Sequence, residues 1–332
     1  MTKILMTSVR HDEQPAIDNF AKDHQIEIIT TSQPFISDEV LAMTKDVDGL
    51  IIQQHAKIPD KSYALLEANG LKQISTRTAG VDTIDLAQAH QHHLVVTNVP
   101  AYSPRSVAEH ALMQIFRLLR KSYAFDYRVA HNDYRWAGLQ ATEIHSATIG
   151  IIGVGRIGGT LARLLKALNA QVLGFDTHPR EEMADVVKYV SKEELLQQSD
   201  VVSLHVDLNP TSKRLLTLDD FRMMKSTAGL VNASRGPVVA TSDLVTALET
   251  QEIAAAALDT VEGEEHVFNQ DHQQDGLTQT PLITKLHAMN NVILTPHIAF
   301  FTNIAVQNMV DISLNDVLTI LNGQPSPHEF TI

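Results

Sequence analysis

A chain of 332 residues, 44% hydrophobic and 20% charged, is long enough to bury two cores. Its net charge of −13, with no long basic run, argues against a nucleic-acid partner, and the absence of cysteine excludes disulfides, thiolate nucleophiles and thiolate metal sites. No apolar run approaches membrane-spanning length and the N-terminal one is too short for a signal-peptide core, so the expectation is a soluble, cytoplasmic protein with no membrane contact.

The first hundred residues alternate between short apolar runs and helical stretches. Strands are expected over 4–6, 27–29, 49–52, 72–75 and 94–97, with helices over 13–23, 38–44, 61–69 and 84–90. Such alternation indicates a parallel sheet covered by helices. The cluster His90-Gln91-His92-His93 has no carboxylate placed beside it in sequence to complete a metal set; it reads as a solvated helix end, and no metal is expected. Residues 98–104 break the pattern, and Ser103-Pro104 is a helix start with proline at the first helical position. One long helix is expected from there to about residue 130.

The most informative segment follows. Ala147-Thr148-Ile149-Gly150-Ile151-Ile152-Gly153-Val154-Gly155-Arg156-Ile157-Gly158 reads as a buried strand, a glycine turn and a helix start. That context gives a G-x-G-x-x-G pattern its meaning as a dinucleotide fingerprint. Gly153 would make the tight turn, Gly155 would let backbone approach a pyrophosphate, and Gly158 would let the helix sit close on the sheet. A second apolar strand over 171–175 ends in Asp176, where an acid should bind the adenosine ribose diol. That carboxylate favours NAD over NADP, although Arg180 lies close enough in sequence to soften the preference. Further strands are expected over 201–205, 229–232, 254–258 and 292–294, then a last helix over about 304–321. The Gln/His-rich stretch over 270–274 reads as a surface insertion.

Three of these later strands end in titratable or charged residues, where open α/β sheets bind ligands. Arg235 follows one, Asp259 and Glu264 the next, and His297 the last. Each alone is a weak signal. Together they supply what hydride transfer to a carbonyl needs: a cation to orient the substrate, an acid to protonate the new alkoxide, and a carboxylate to hold that acid.

On these residues, and on Arg77-Thr78-Ala79-Gly80-Val81-Asp82, 98–104, Glu109-His110, Ser203-Leu204-His205-Val206, 232–236 and Asn308-Met309-Val310, the chain resembles the D-isomer-specific 2-hydroxyacid dehydrogenases over nearly its whole length, most of all the bacterial D-lactate dehydrogenases. The resemblance implies an α/β protein of two doubly wound parallel-sheet domains with a cleft between them. A flavodoxin-like substrate domain would comprise 1–101 plus 299–332, the C-terminal helix returning to it, and a Rossmann NAD domain would comprise 102–298. It implies a catalytic set of Arg235, Glu264 and His297: Arg235 binding the substrate carboxylate and polarising the keto oxygen, His297 giving the proton, and Glu264 bonding the other ring nitrogen. NAD would be held by Gly153, Gly155, Arg156, Ile157, Gly158, Asp176, Val206, Asp207, Ala233, Ser234, Arg235 and Asp259. Substrate would meet Ala79, Gly80, Val81, Tyr102, Arg235, His297 and Phe300, the first three through backbone N–H groups. A homodimer is the family's expectation.

Two departures bear on this. Asp207 stands where the family usually has proline, and Ile52 stands where lactate-type relatives often carry tyrosine, so an altered side-chain pocket is expected. The implied reaction is NADH-dependent reduction of a 2-oxo acid, pyruvate to D-lactate first and larger branched or aromatic acids second. An NAD-sensing co-repressor is the reading from another class; the termini, trimmed to a catalytic core, count against it. Formate dehydrogenases place a glutamine where this chain has Glu264, and phosphoglycerate-type relatives carry an extra C-terminal domain.

Overall fold

The computed structural model describes residues 1–53, 57–274, 276–277 and 280–330. In chain order the elements are β1 (Lys3–Met6), α1 (Gln14–His24), β2 (Glu27–Thr30), α2 (Asp38–Ala42), β3 (Gly49–Ile52), α3 (Lys61–Ala68), β4 (Gln73–Thr76), α4 (Leu86–Gln91) and β5 (Val95–Thr97). There follow α5 (Pro104–Leu119), α6 (Ser122–Ala130), β6 (Thr148–Ile152), α7 (Arg156–Ala167), β7 (Gln171–Phe175), β8 (Lys188–Tyr189), α8 (Lys192–Gln198) and β9 (Val201–Leu204). The chain ends with α9 (Leu218–Met223), β10 (Gly229–Asn232), α10 (Thr241–Glu249), β11 (Ala255–Leu258), α11 (Pro281–His287), β12 (Val292–Leu294) and α12 (Asn303–Leu321).

These elements form two compact units: Met1–Ser103 with Phe301–Ile332, and Pro104–Phe300. The first holds a five-stranded sheet in the order β2-β1-β3-β4-β5, every pair parallel. β1, β3, β4 and β5 carry near-continuous buried runs, as a sheet covered on both faces requires, while the edge strand β2 is only half-buried. One face packs under α1 and α12, where Ile4, Met6 and Ile51 meet Ile17, Phe20, Val310, Leu314 and Val317. On the other, Leu5, Leu50, Ile52 and Ile74 meet Tyr63, Leu66 and Leu94. Ile52 is thus a sheet-core residue, 1% exposed. The C-terminal tail returns to β5, where Glu329 makes an antiparallel bridge with Thr97. By length and composition α12 could cross a membrane, contrary to the sequence expectation, but half of that window is buried within the protein.

The second unit holds a seven-stranded parallel sheet in the order β12-β11-β10-β9-β6-β7-β8. The expected single helix over 104–130 is two, because Lys121 adopts a left-handed backbone (φ 56°) and α5 stops at Leu119. α5 and α7 share a core with β6, in which Ile115 and Leu118 meet Ile149, Ile151 and Leu161.

Candidate active site

The glycine turn is built as its spacing demands. Gly153, straight after β6, has φ +90°, and a Cβ there would lie 2.5 Å from the His205 carbonyl oxygen. A Cβ on Gly158 would lie 2.0 Å from the Gly153 carbonyl oxygen, so α7 can approach β6 only because that side chain is missing. At Gly155, the N-cap of α7, a Cβ would meet nothing within 4 Å. An open cradle over a helix N-terminus, with Arg156 exposed and Ile157 half-buried at its rim, fits a dinucleotide's pyrophosphate. Asp176 closes the turn's flank: one carboxylate oxygen accepts from Val154 N–H (2.7 Å) and the other from His178 N–H (2.8 Å). Arg180 is engaged by Glu182 through contacts at 2.8 and 2.6 Å.

Beyond β9 come Val206, half-buried, and Asp207, exposed, whose carbonyl accepts the Ser212 hydroxyl at 2.5 Å. His205 sits behind them, its Nε2 2.8 Å from the Ser203 hydroxyl and its Nδ1 buried without a partner among the described residues. Burial pushes its imidazole down to about 4.

After β10, Asn232 organises the loop that carries Ala233, Ser234 and Arg235. Its Oδ1 accepts from Ser234 N–H (3.1 Å) and hydroxyl (2.8 Å), and its Nδ2 donates to the Arg235 carbonyl (3.1 Å). Arg235 itself is half-buried, with Nη1 donating to the Ser234 carbonyl at 2.8 Å. A Cβ on Gly236 would lie 2.2 Å from the Val261 backbone, so this loop is seated on the one following β11.

That neighbouring loop carries Asp259 and Glu264. Asp259, 1% exposed, accepts from the Thr295 hydroxyl (2.6 Å) and from the N–H groups of Ile298 (3.0 Å) and Ala299 (2.9 Å). Its carbonyl takes the His297 N–H at 2.9 Å. Both ends of Asp259 therefore grip the turn on which His297 stands, and His297 itself is held at φ 53°. The ring Nδ1 of His297 lies 2.6 Å from Glu264 Oε1, while Glu264 Oε2 accepts from Val261 N–H at 2.7 Å. An Nδ1–H bonded to a carboxylate leaves Nε2 as the nitrogen that can exchange a proton with a ligand. Phe300 stands edge-on to the imidazole, 6.4 Å between centroids.

Sequence reasoning passed over the support behind Asp259. Thr295 joins it to His110, whose Nε2 is 3.2 Å from the threonine hydroxyl, and Gln114 lies 3.1 Å from the same ring nitrogen. Burial lowers the His110 pKa, with Asp259 opposing the shift. The signal was available as a His and a Gln four residues apart on α5.

The remaining predicted residues belong to the first unit. Ala79, Gly80 and Val81 follow β4, with the Ala79 carbonyl accepting from Asn98 Nδ2 at 2.5 Å. The Tyr102 carbonyl accepts from Asn308 Nδ2 on α12 at 2.6 Å. Among the described residues no group of three His, Cys, Asp or Glu could hold a metal, although Glu67 does reach His92 at 2.8 Å, a carboxylate the sequence reading did not place there.

The model of the D-isomer specific 2-hydroxyacid dehydrogenase NAD binding domain matches residues 112–299. A D-2-hydroxyacid dehydrogenase (NAD(+)) of Clostridioides difficile is 39% identical over 322 residues, 96% of this chain and 97% of that one. The chain belongs to the D-isomer specific 2-hydroxyacid dehydrogenase family. It is an NAD-dependent oxidoreductase. Among solved structures it is similar to a D-lactate dehydrogenase from Sporolactobacillus sp. (52% identity, 99% of each chain, TM-score 0.87) and to a D-2-hydroxyisocaproate dehydrogenase (30%, all of both chains, TM-score 0.91).

Proposed function

We propose that the protein reduces a 2-oxo acid to the D-2-hydroxy acid with NADH, and that pyruvate to D-lactate is its principal reaction. The observation that carries this reading is the 2.6 Å contact of His297 with Glu264, on a turn gripped by Asp259. Bound NADH supplies the hydride that the substrate's C2 accepts. His297 Nε2 gives its proton to the keto oxygen as that oxygen gains charge, so the C=O π bond gives way to new C–H and O–H bonds. In oxidation the same nitrogen takes the proton back. Glu264 keeps Nδ1–H engaged and the ring aimed. Arg235 binds the carboxylate and polarises the keto oxygen, the N–H groups of Ala79, Gly80 and Val81 take the same carboxylate, and Tyr102 and Phe300 line the side-chain pocket.

For the cofactor, Gly153, Gly155, Arg156, Ile157 and Gly158 take the pyrophosphate and Asp176 the ribose diol. Val206, Asp207, Ala233, Ser234, Arg235 and Asp259 serve the remainder. Asp176 repels a 2′-phosphate, and Arg180 is already paired with Glu182, which supports NADH over NADPH. We also take the protein to be a cytoplasmic homodimer. Exposed apolar side chains in one segment support the dimer: Phe125, Tyr127 and Val129 on α6, then Tyr134 and Trp136, the last 86% exposed.

The second reading, a preference for branched 2-oxo acids, is favoured by the full-length similarity to a D-2-hydroxyisocaproate dehydrogenase. Steady-state NADH oxidation with pyruvate, 2-oxoisocaproate and phenylpyruvate, with the product's chirality determined, separates the two. Pyruvate should give the highest kcat/KM and a D product, and His297→Ala should lose about a thousandfold in kcat while still binding NADH. An L product or near-normal turnover of His297→Ala would overturn the proposal, and a clear preference for 2-oxoisocaproate selects the second reading.

A further inference from the structure

The loop over 79–81 offers an anion no charged side chain, so its use depends on how its peptide planes are turned. A peptide unit is rigid: fixing a carbonyl fixes the direction of the N–H that follows it. The Thr78 carbonyl accepts from Val99 N–H (2.9 Å) and from the Thr76 hydroxyl (3.0 Å), and the Gly80 carbonyl accepts from the Thr78 hydroxyl (2.9 Å). The Ala79 carbonyl, whose peptide carries the Gly80 N–H, accepts from Asn98 Nδ2 at 2.5 Å. Asn98 is the side chain that reaches this loop from another strand end, and it is buried.

Asn98 is in turn held by the C-terminal tail. Its N–H donates to the His328 carbonyl at 3.3 Å, and one pair along the same ladder Phe330 N–H donates to the Val96 carbonyl at 2.8 Å. The tail is pinned at its start. Asp316 of α12, 3% exposed, accepts from the Ser326 hydroxyl at 2.8 Å and from His328 Nδ1 at 3.0 Å. The Ser326 hydroxyl oxygen also accepts from His328 N–H at 3.1 Å. A buried carboxylate, a serine and a histidine thus clamp residues 326–330 beside β5, the strand after which Asn98 reaches the 79–81 loop.

We infer that the 326–330 tail is a positioning element of the substrate site: clamped by Asp316, it seats Asn98, and Asn98 sets the Ala79–Gly80 peptide that meets the substrate's carboxylate. The inference rests on the reading of 79–81 as a carboxylate-binding loop. Asn98 and His328 are positioning residues here, acting through the loop rather than on the reacting atoms.

The test uses the full-length enzyme with pyruvate, with oxamate as a competing isostere, and with NADH binding followed separately. Asn98→Ala should raise the KM for pyruvate and the Ki for oxamate about tenfold, with kcat changed far less and the Kd for NADH unmoved. Asn98→Asp, which sets an oxygen against the Ala79 carbonyl, should cost more than Asn98→Ala. His328→Ala should raise KM about threefold alone and not at all in the Asn98→Ala background, because its effect travels through Asn98. An unchanged KM in Asn98→Ala, or an equal effect of His328→Ala in both backgrounds, overturns the inference. If Asn98→Ala does not fold, His328→Ala, at a partly exposed position, decides alone, an unchanged KM overturning it. A ternary structure of the unsubstituted enzyme with NADH and oxamate separates the two levels. Oxamate bound away from the 79–81 N–H groups ends the reading and the inference together, whereas oxamate bound there with KM indifferent to Asn98 ends only the inference.

Discussion

The turn after β1 and the turn after β6 occupy the same place in their sheets, and the chain treats them in opposite ways. Each follows the first strand of its unit, where the strand order reverses and open α/β sheets form their crevice. After β6 three glycines strip the backbone bare, and the helix N-terminus faces open space. After β1 the turn is Thr7-Ser8-Val9-Arg10, without a glycine, and it is already filled. Arg77, wholly buried, donates to the Thr7 carbonyl (3.1 Å) and the Ser8 carbonyl (3.0 Å), and its Nε donates to Glu13 at 2.9 Å. Glu13, equally buried, accepts the Arg10 N–H at 2.8 Å. A buried ion pair of the chain's own thus closes this turn. Topology therefore makes a crevice in both units, and side chains decide which one stays open.

The largest way to break this comparison is to unplug the first turn. Arg77→Met leaves buried Glu13 with only the partly exposed Arg10 guanidinium, 3.4 Å away, as its cation, and should destabilise the protein by about 3 kcal/mol, measured by urea denaturation. Arg77→Met with Glu13→Leu should recover much of that loss, since the buried charge is then gone. A loss below about 1 kcal/mol for Arg77→Met would mean water reaches the pair, and the turn is not plugged.

This pairing also shows where the sequence was legible and where it was not. The strands of both sheets were readable because a parallel sheet buried on two faces leaves continuous apolar runs. Asp259, Glu264 and His297, which the structure brings together, drew notice in the sequence for a related reason: each lies in a segment that follows such a run. Glu13 and Arg77 lie 64 residues apart, and a polar pair across that distance imposes no period on the chain. Asn98 with Ala79, and Asp316 with His328, were hidden in the same way. The break at Lys121 was missed because the apolar stripe of α5 runs up to it without a proline or glycine to mark the stop. The two-residue β8 is too short to carry any alternation.

A middle-sized effect comes from the open turn. Gly158→Ala puts a methyl 2.0 Å from the Gly153 carbonyl oxygen, both atoms belonging to the backbone-tight contact of α7 with β6. The helix must retreat, at about 1–3 kcal/mol of stability, and the Kd for NADH should rise at least about tenfold as the cradle widens. Fluorescence titration reads this directly; an unmoved Kd would place the pyrophosphate elsewhere.

The smallest change asks whether the closed turn would be eased by becoming more like the open one. Ser8 sits at φ 52°, which costs an L-residue roughly 1 kcal/mol, and its buried hydroxyl has no hydrogen-bond partner among the described residues. Ser8→Gly removes both penalties and adds the entropy of a freer unfolded chain, which takes back about 0.4–1 kcal/mol. The net expectation is a gain of about 0.5–1 kcal/mol, a rise in Tm of about 2 °C, with the Kd for NADH unchanged because the glycine turn lies in the other unit. If Ser8→Gly instead lowers Tm, the serine side chain contributes to the plug, and closure of this turn rests on more than Arg77 and Glu13.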